Sequence, residues 1–398
     1  RATYLNRIRA EGDFLLVDSG DFSGQPNVQG RMQAETVLET MAKAGYHAGA
    51  LGERELALGR AFVDSILKSM PFPLLAANIS DPATGARLTK TYEIVTIGTT
   101  RVGVIGLTML TAPGVIDTLG FRIEDPMQWA KQLVPEVAAK ADIVVVLAHL
   151  GWGGAFSLAQ QVPGIDVIVA GHGSHLTEEP QRVGNTILVQ AGDQGKRVGR
   201  LQMTGLRGKG KSTGTLVGLG TDTPEDPEIK QIVANYGARV TRYYADSRGQ
   251  HPAAPPPTQM NYRYSGAQQC RACHSGVYER WLASKHAHAM VTLEQKQKHF
   301  DPECVRCHST GYGKPTGFIS LKVNPELANV QCEQCHGQGS LHVMYRTKGE
   351  EALSGVTQAA SEKARRFPRV GPTVCLQCHT PERDPDFEYR DGNLTGIH

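Results

Sequence analysis

The sequence predicts two unlike parts: an α/β layered domain over residues 1–222, and a mostly helical or irregular domain over residues 261–398. Residues 223–260 join them as a closing helix and a proline-rich linker. Three observations carry this division. Through residues 1–220, β-branched runs alternate with helical stretches, the pattern of strands layered with helices. The stretch His251-Pro-Ala-Ala-Pro-Pro-Pro257 has the proline density of a semi-rigid polyproline spacer. From Asn261 onward apolar periodicity weakens, few credible strands remain, and Gly, His and Cys rise.

In chain order, Phe14 to Val17 reads as a strand, Val28 to Ala44 as a helix and Tyr46 to Leu51 as a return toward the sheet. Leu74 to Ala77, Tyr92 to Ile97 and Val102 to Leu107 follow as strands. Pro126 to Lys140 is a helix with proline at a tolerated early position. Ile143 to Ala148, Val167 to Ala170, Ile187 to Gln190 and Leu201 to Thr204 continue the strand series. Gly205 to Gly214 is a hairpin-turn region. Pro227 to Tyr244 closes the domain as one helix.

Composition narrows the classes. The 398 residues suit two or three domains, and 40% hydrophobic with 20% charged residues excludes wholesale disorder. The longest apolar runs, Ile143 to Leu147 and Val167 to Ala170, are strand-length. None approaches the ~20 residues of a transmembrane helix. A net charge of +3 is too balanced to predict nucleic-acid binding. The chain opens at Arg1 with no initiator Met and no signal peptide, and reads as a processed or trimmed product.

All eight cysteines lie between Cys270 and Cys378, as the pairs Cys270/Cys273, Cys304/Cys307, Cys332/Cys335 and Cys375/Cys378. A histidine follows each pair at once: His274, His308, His336 and His379. C-x-x-C-H is the attachment signature of c-type haem. Two thiols add to the vinyl groups on one porphyrin edge, and the adjacent histidine reaches the iron. Four copies that consume every cysteine leave a zinc site a remote alternative and predict four c-type haems. This second region, about 140 residues long, is poor in aliphatic residues for a conventional core. Four buried macrocycles would supply it.

Four irons have eight axial positions, and the motifs fill four. Distal candidates are His251, His286, His288, His299, His342 and His398. Met260, Met290 and Met344 are thioether alternatives that read better as packed or surface side chains.

Trp281-Leu-Ala-Ser-Lys-His286-Ala-His-Ala-Met290, Cys-Val-Arg-Cys-His308-Ser-Thr-Gly-Tyr312 and Cys-Glu-Gln-Cys-His336-Gly-Gln-Gly resemble the tetrahaem cytochrome c family of hydroxylamine oxidation, over roughly residues 265 to 380. The resemblance implies that His286 and His342 are distal ligands. It also implies a distal histidine just before the last motif, where Arg365 to Val374 has none. His251, His299 and His398 are then the candidates for the fourth haem, and the iron at His308 can be five-coordinate.

Val17-Asp-Ser-Gly-Asp21, Gly45-Tyr46, Ala148-His149-Leu-Gly151, Gly171-His-Gly-Ser-His175 and Val189-Gln-Ala-Gly-Asp-Gln-Gly-Lys-Arg-Val-Gly199 resemble metallophosphatases of the 5′-nucleotidase type, whose two metals clamp phosphate and activate water. The resemblance implies a metallophosphatase-like fold over about residues 1 to 220. It makes Asp21 the bridging carboxylate, with His149, His172 and His175 as metal histidines. The active-site motifs are degraded. The family's Gly-Asn-His-Glu box reads Gly52-Glu53-Arg54-Glu55. Its catalytic histidine is thereby replaced by an arginine that neither titrates nor binds metal. The opening Asp-x-His is absent, and the final motif is H-x-x-H instead of H-x-H. A retired centre is expected, with a single divalent metal on Asp21 and two or three histidines as the intermediate case. His47 is expected to be structural.

The expectation is a multihaem electron-transfer protein with a degenerate hydrolase domain, not an enzyme. Its partners are redox proteins or extracellular electron acceptors. Covalent haem attachment takes place outside the cytoplasmic membrane, which places the protein in the periplasm or outside the cell. His251 on the linker and His398 at the chain end could ligate haems of neighbouring copies, giving a homopolymeric filament. The alternatives are a phosphoesterase fused to a cytochrome, or a redox enzyme working at an open haem.

Overall fold

Strand pairing in the first part follows from where the apolar side chains fall. The computed structural model describes residues 1–109, 119–205, 210–220, 223–246, 263–366, 370–380, 383–384 and 386–389. His251, Met260 and His398, most of the proline-rich linker, and residues 206–209 of the expected hairpin turn lie outside these. The chain divides into two compact units, Arg1–Tyr236 and Gly237–His398.

The first unit contains β1 (Val17–Asp18), β2 (Ala48–Ala50), β3 (Leu74–Leu75), β4 (Ile79–Ser80), β5 (Tyr92–Ile97), β6 (Thr100–Thr108) and β7 (Arg122–Ile123). It continues with β8 (Ile143–His149), β9 (Val167–Ala170), β10 (Gln181–Val183), β11 (Thr186–Val189), β12 (Arg197–Met203) and β13 (Ser212–Gly218). A parallel sheet of order β1-β2-β3 faces a six-stranded sheet of order β10-β11-β9-β8-β6-β5, whose central strands β11, β9, β8 and β6 run parallel. β12 and β13 form a hairpin, as the turn-rich Gly205 to Gly214 implied.

Strand alternation sends successive side chains to opposite faces. On β8, Val145 and Leu147 meet Ala48, Ala50 and Leu75 of the small sheet. Val144 and Val146 instead pack with Leu133, Val137 and Leu158 of the helices Pro126–Ala138 and Gly151–Gln161. The outer face of the small sheet is covered by Leu38 and Met41 of the helix Val28–Lys43 and by Phe62, Val63 and Ile66 of the helix Arg60–Ser69. The result is four layers, helix–sheet–sheet–helix. Near-continuous apolar runs such as Ile143 to Leu147 fit strands buried on both faces. His47 is structural: its Nδ1 accepts the Leu16 N–H at 3.0 Å.

Within the second unit, the described residues form helices and irregular segments, with one isolated bridge between Ser309 and Ala328. The helices include Ala267–Arg271, Ser275–Leu282, Ala289–Gln295, Pro302–His308, Cys332–His336, Ser340–Lys348 and Gln358–Arg365. Instead of one core there are three small ones. Tyr264, Met290, Val305 and Phe318 make the first, Leu341, Leu353 and Ala364 the second, and Ala267, Trp281 and Ala287 the third. Polar side chains tie them together. The buried Glu333 accepts N–H bonds from Ser265, Gly266 and Gly339 at 2.8, 2.8 and 2.6 Å, and Trp281 Nε1 donates to the Val330 carbonyl at 2.8 Å.

Candidate functional site

Strand ends build the first site. Asp21 lies just beyond β1, Glu53 opens the helix Glu53–Ala57 beyond β2, His149 ends β8 and His172 follows β9. These are the carboxyl ends of parallel strands, where open α/β sheets collect ligands. Side-chain parity explains His149: it continues the series Val145, Leu147 and so turns toward the small sheet. One ligand atom from each of Asp21, Glu53, His149 and His172 lies within 4.8 Å of the other three.

His149 is fully buried. Its Nδ1 hydrogen-bonds the Ser19 carbonyl at 2.7 Å, so Nδ1 carries the proton and Nε2 faces the cluster. Glu53 lies 2.7 Å from His149 Nε2 and 3.0 Å from His172 Nδ1, and Asp21 Oδ1 lies 3.5 Å from His149 Nε2. Burial opposes ionisation of Glu53, but the His149 bond and the two imidazoles outweigh it and hold its carboxyl at about 2. Burial raises Asp21 above the usual carboxylate value against the pull of His149. Burial also opposes charge on His149, and Glu53 and Asp21 overcome that to raise it.

Close approach of these loops requires glycine. A Cβ on Gly52 would stand 2.1 Å from Asp21 Oδ1 and 2.8 Å from His149 Cε1, and one on Gly171 would stand 2.6 Å from the Ser19 carbonyl. Behind them the buried Glu55 accepts the N–H groups of Gly52, Asp21 and Ser23 at 2.8–2.9 Å, locking the loops after β1 and β2 together. Burial, then the charge of Asp21, pushes Glu55 up to about 7.

Of the metal residues read from the sequence, the structure gathers Asp21, His149 and His172 but not His175. That ring stacks on Trp152, with centroids 3.9 Å apart, because the extra residue of H-x-x-H carries it past the cluster. Glu53 is the candidate ligand that sequence reasoning missed. It stood out only as the loss of an asparagine, although a carboxylate offers the same oxygen donor. Two carboxylates and two imidazoles suit a divalent transition metal. Arg54 adjoins the group, its Nε 3.4 Å from Asp21 Oδ2 and its backbone N–H bonded to Oδ1 at 3.1 Å.

The second unit brings its motif histidines against others. His274 and His342 face each other with ring centroids 6.4 Å apart and planes within 22°. His286 and His379 lie 5.9 Å apart at 70°. Two imidazole nitrogens each about 2 Å from one iron put their ring centres about 6 Å apart, so both pairs admit an iron between them.

Nδ1 bonds orient the rings. His308 Nδ1 meets the Ala289 carbonyl, and His342 Nδ1 the Ala364 carbonyl, both at 2.7 Å. His379 Nδ1 meets Asp384 at 2.6 Å. Each bond occupies Nδ1, so Nε2 is the nitrogen that would ligate an iron. His288 directs Nε2 at the Leu282 carbonyl, 3.0 Å away, and His299 packs on Phe300 at 3.8 Å. Met290 is buried in the first small core and Met344 is exposed. The thiols of Cys270 and Cys332 lie beside each other, as do those of Cys307 and Cys378. The first motif therefore lies beside the third, and the second beside the fourth.

Among the motif cysteines, Cys273 stands apart in its exposure. Its side chain is exposed, whereas the other seven motif cysteines, Cys270, Cys304, Cys307, Cys332, Cys335, Cys375 and Cys378, are half-buried. The cause is local: Cys273 stands in the turn between the helices Ala267–Arg271 and Ser275–Leu282, where residues 271–276 are all exposed. Its sulfur remains free and three residues beyond Cys270, as a thioether pair requires.

The chain thus joins a metallophosphatase-like α/β domain to a helical cytochrome c region. Residues 269–337 match the family model of cytochrome c554 and c-prime. The chain is 30% identical over 241 residues to a 5′-nucleotidase of Vibrio cholerae, covering 50% of this chain and 43% of that protein. It is 28% identical over 313 residues to the 5′-nucleotidase of Bos taurus, covering 69% and 52%. The 5′-nucleotidase precursor of Thermus thermophilus superposes with a TM-score of 0.54 at 27% identity, over 61% of this chain and 52% of that one. The sulfate thiohydrolase SoxB of Thermus thermophilus shares the fold, with a TM-score of 0.54 at 24% identity over 60% and 46%. The chain spans about half the length of the curated relatives it matches. Among the described residues no helix is long and apolar enough to cross a membrane.

Proposed function

We propose that the protein is a multihaem c-type cytochrome that carries electrons in the periplasm or outside the cell, with an α/β domain that does not hydrolyse phosphoesters. The observation that carries this reading is the pairing of His274 with His342 and of His286 with His379 at bis-histidine spacing. Bound haem supplies the one-electron chemistry. The chain's own groups do the rest. The four cysteine pairs would anchor the macrocycles as thioethers, and each of the two histidine pairs would hold one iron. Carbonyl and carboxylate bonds to Nδ1 hold the imidazoles in place. Neighbouring motifs, side by side at Cys270/Cys332 and Cys307/Cys378, put successive carriers close together.

Against hydrolysis stands Arg54, a permanent cation that cannot protonate a leaving group. The sequence offered His251, His299 and His398 to the fourth haem, but with His286 beside His379 these histidines are left for the irons at His308 and His336. A ligand from a neighbouring copy would turn the carrier into a polymer.

Haem quantitation and a reductive titration followed by visible and electron paramagnetic spectra test the function. Four haems per chain, mostly low spin and all reversibly reducible, are expected, with no release of phosphate from nucleoside monophosphates. Fewer than four covalently held haems, or metal-dependent phosphatase turnover, would overturn it.

A further inference from the structure

We propose that the α/β domain holds one divalent transition-metal ion, not two, on Asp21, Glu53, His149 and His172, with the Arg54 guanidinium taking the side of Asp21 that a second ion would share. The donor set is complete for one ion. It offers two carboxylate oxygens and two imidazole nitrogens, all within 4.8 Å, and four N/O ligands satisfy a tetrahedral dication. Two negative charges balance its two positive ones, so the partly buried site needs no further counter-ion.

Glu53 makes that balance. A neutral asparagine at its position would leave one carboxylate alone to face the cation. The loops are shaped ahead of binding. Asp21 and His172 both sit in the left-handed backbone region, with φ of 62° and 64°, and such conformations persist where the surrounding structure over-determines them. The Ser19 carbonyl already sets the His149 tautomer for ligation through Nε2.

The second place is taken. In a dinuclear centre a bridging carboxylate gives one oxygen to each ion. Asp21 Oδ1 belongs to the cluster, while Oδ2 lies 3.4 Å from Arg54 Nε. A guanidinium has no acceptor lone pair and cannot ligate, so it supplies positive charge there and repels a further cation. The remaining histidine that could have helped, His175, is held on Trp152. One ion with an arginine beside it lacks the two-metal clamp that stabilises both attacking and leaving oxygens.

The full-length haem protein, stripped with chelator and dialysed against Zn2+ or Mn2+, tests this by elemental analysis, calorimetric titration and room-temperature Mn2+ paramagnetic resonance. One equivalent besides haem iron, with an uncoupled Mn2+ signal, is expected. Two equivalents, a spin-coupled pair, or no binding at all would overturn the proposal. Glu53→Gln and His172→Ala should each weaken binding about tenfold or more. His172 has a 40% exposed side chain, so its removal leaves the core intact, and unaltered affinity in both variants would refute the ligand set. Arg54→Ala should bind one ion several-fold more tightly, since a like charge is removed. Unchanged or weaker binding would refute the role given to Arg54.

Discussion

At Glu124 a single carboxylate collects both Arg87 guanidinium nitrogens at 2.8 Å, Trp129 Nε1 at 2.7 Å and the Ser80 hydroxyl at 3.1 Å. The Arg87 bonds foremost hold its carboxyl at about 2, below the ordinary 4.5. A depressed carboxylate stabilises the fold above its unfolded value and loses that contribution as pH falls from 4.5 toward 2. Glu124→Gln should therefore cost about 1–2 kcal/mol at neutral pH, a modest figure because the pair is partly solvated. The cost should shrink at pH ~3. Urea denaturation at both pH values checks this, and an equal loss at each would contradict it. His342→Ala and His286→Ala should each turn one haem from low to high spin while four haems stay attached. A fully low-spin spectrum in either variant would dismiss that residue as an axial ligand. At the scale of single residues, the sequence singled out His286 and His342, and each ring stands beside a motif histidine. Glu53 was not, because its oxygen becomes a donor only when the loops after β2, β8 and β9 converge. The exposure of Cys273 was equally hidden, since a motif fixes spacing along the chain and says nothing of what covers it.

Elements were legible in proportion to their hydrophobic pattern. Tyr92–Ile97 and Val167–Ala170 appear as read, and Val28 to Ala44 differs by one residue at its end. The helix Gly151–Gln161 was not legible. Three of its first four residues are glycine, which disfavours a helix by propensity, and burial of Ala155, Leu158 and Ala159 against the sheet overrides that. Strands of two residues such as β1 and β3 read longer in sequence than they are, since burial continues past the paired segment. Loop geometry carries its own prediction. Gly52→Ala should destabilise the first unit by about 1–3 kcal/mol and weaken metal binding, because the new methyl meets Asp21 and His149. Thermal unfolding and calorimetry would show both, and an unchanged melting temperature would mean the loops yield freely.

On the scale of the whole chain, the two units draw on different interiors. The first has extensive apolar layers between and outside its sheets. The second has three small clusters and, among its described residues, no sheet. A chain produced without haem attachment should keep the first unit folded while the second becomes protease-sensitive. Limited proteolysis with mass spectrometry would check this, and a protected second unit would show that it folds without its macrocycles. If copies ligate one another's haems, His251→Ala or His398→Ala should lower the particle mass measured by light scattering. A native protein that stays monomeric at high concentration with four low-spin haems would exclude polymer formation.

β8 is hydrogen-bonded to β6 on one side and β9 on the other, and both its faces are covered. Its amides should therefore exchange with solvent deuterium only through global opening, among the slowest in the chain. His149 terminates this strand, whereas His172 and Glu53 stand on a loop and a short helix whose amides can open locally. The cluster accordingly joins the slowest-breathing part of the fold to faster ones. An occupant bridging them would transfer protection outward, slowing exchange at residues 171–174 and 52–55 while leaving β8 unchanged.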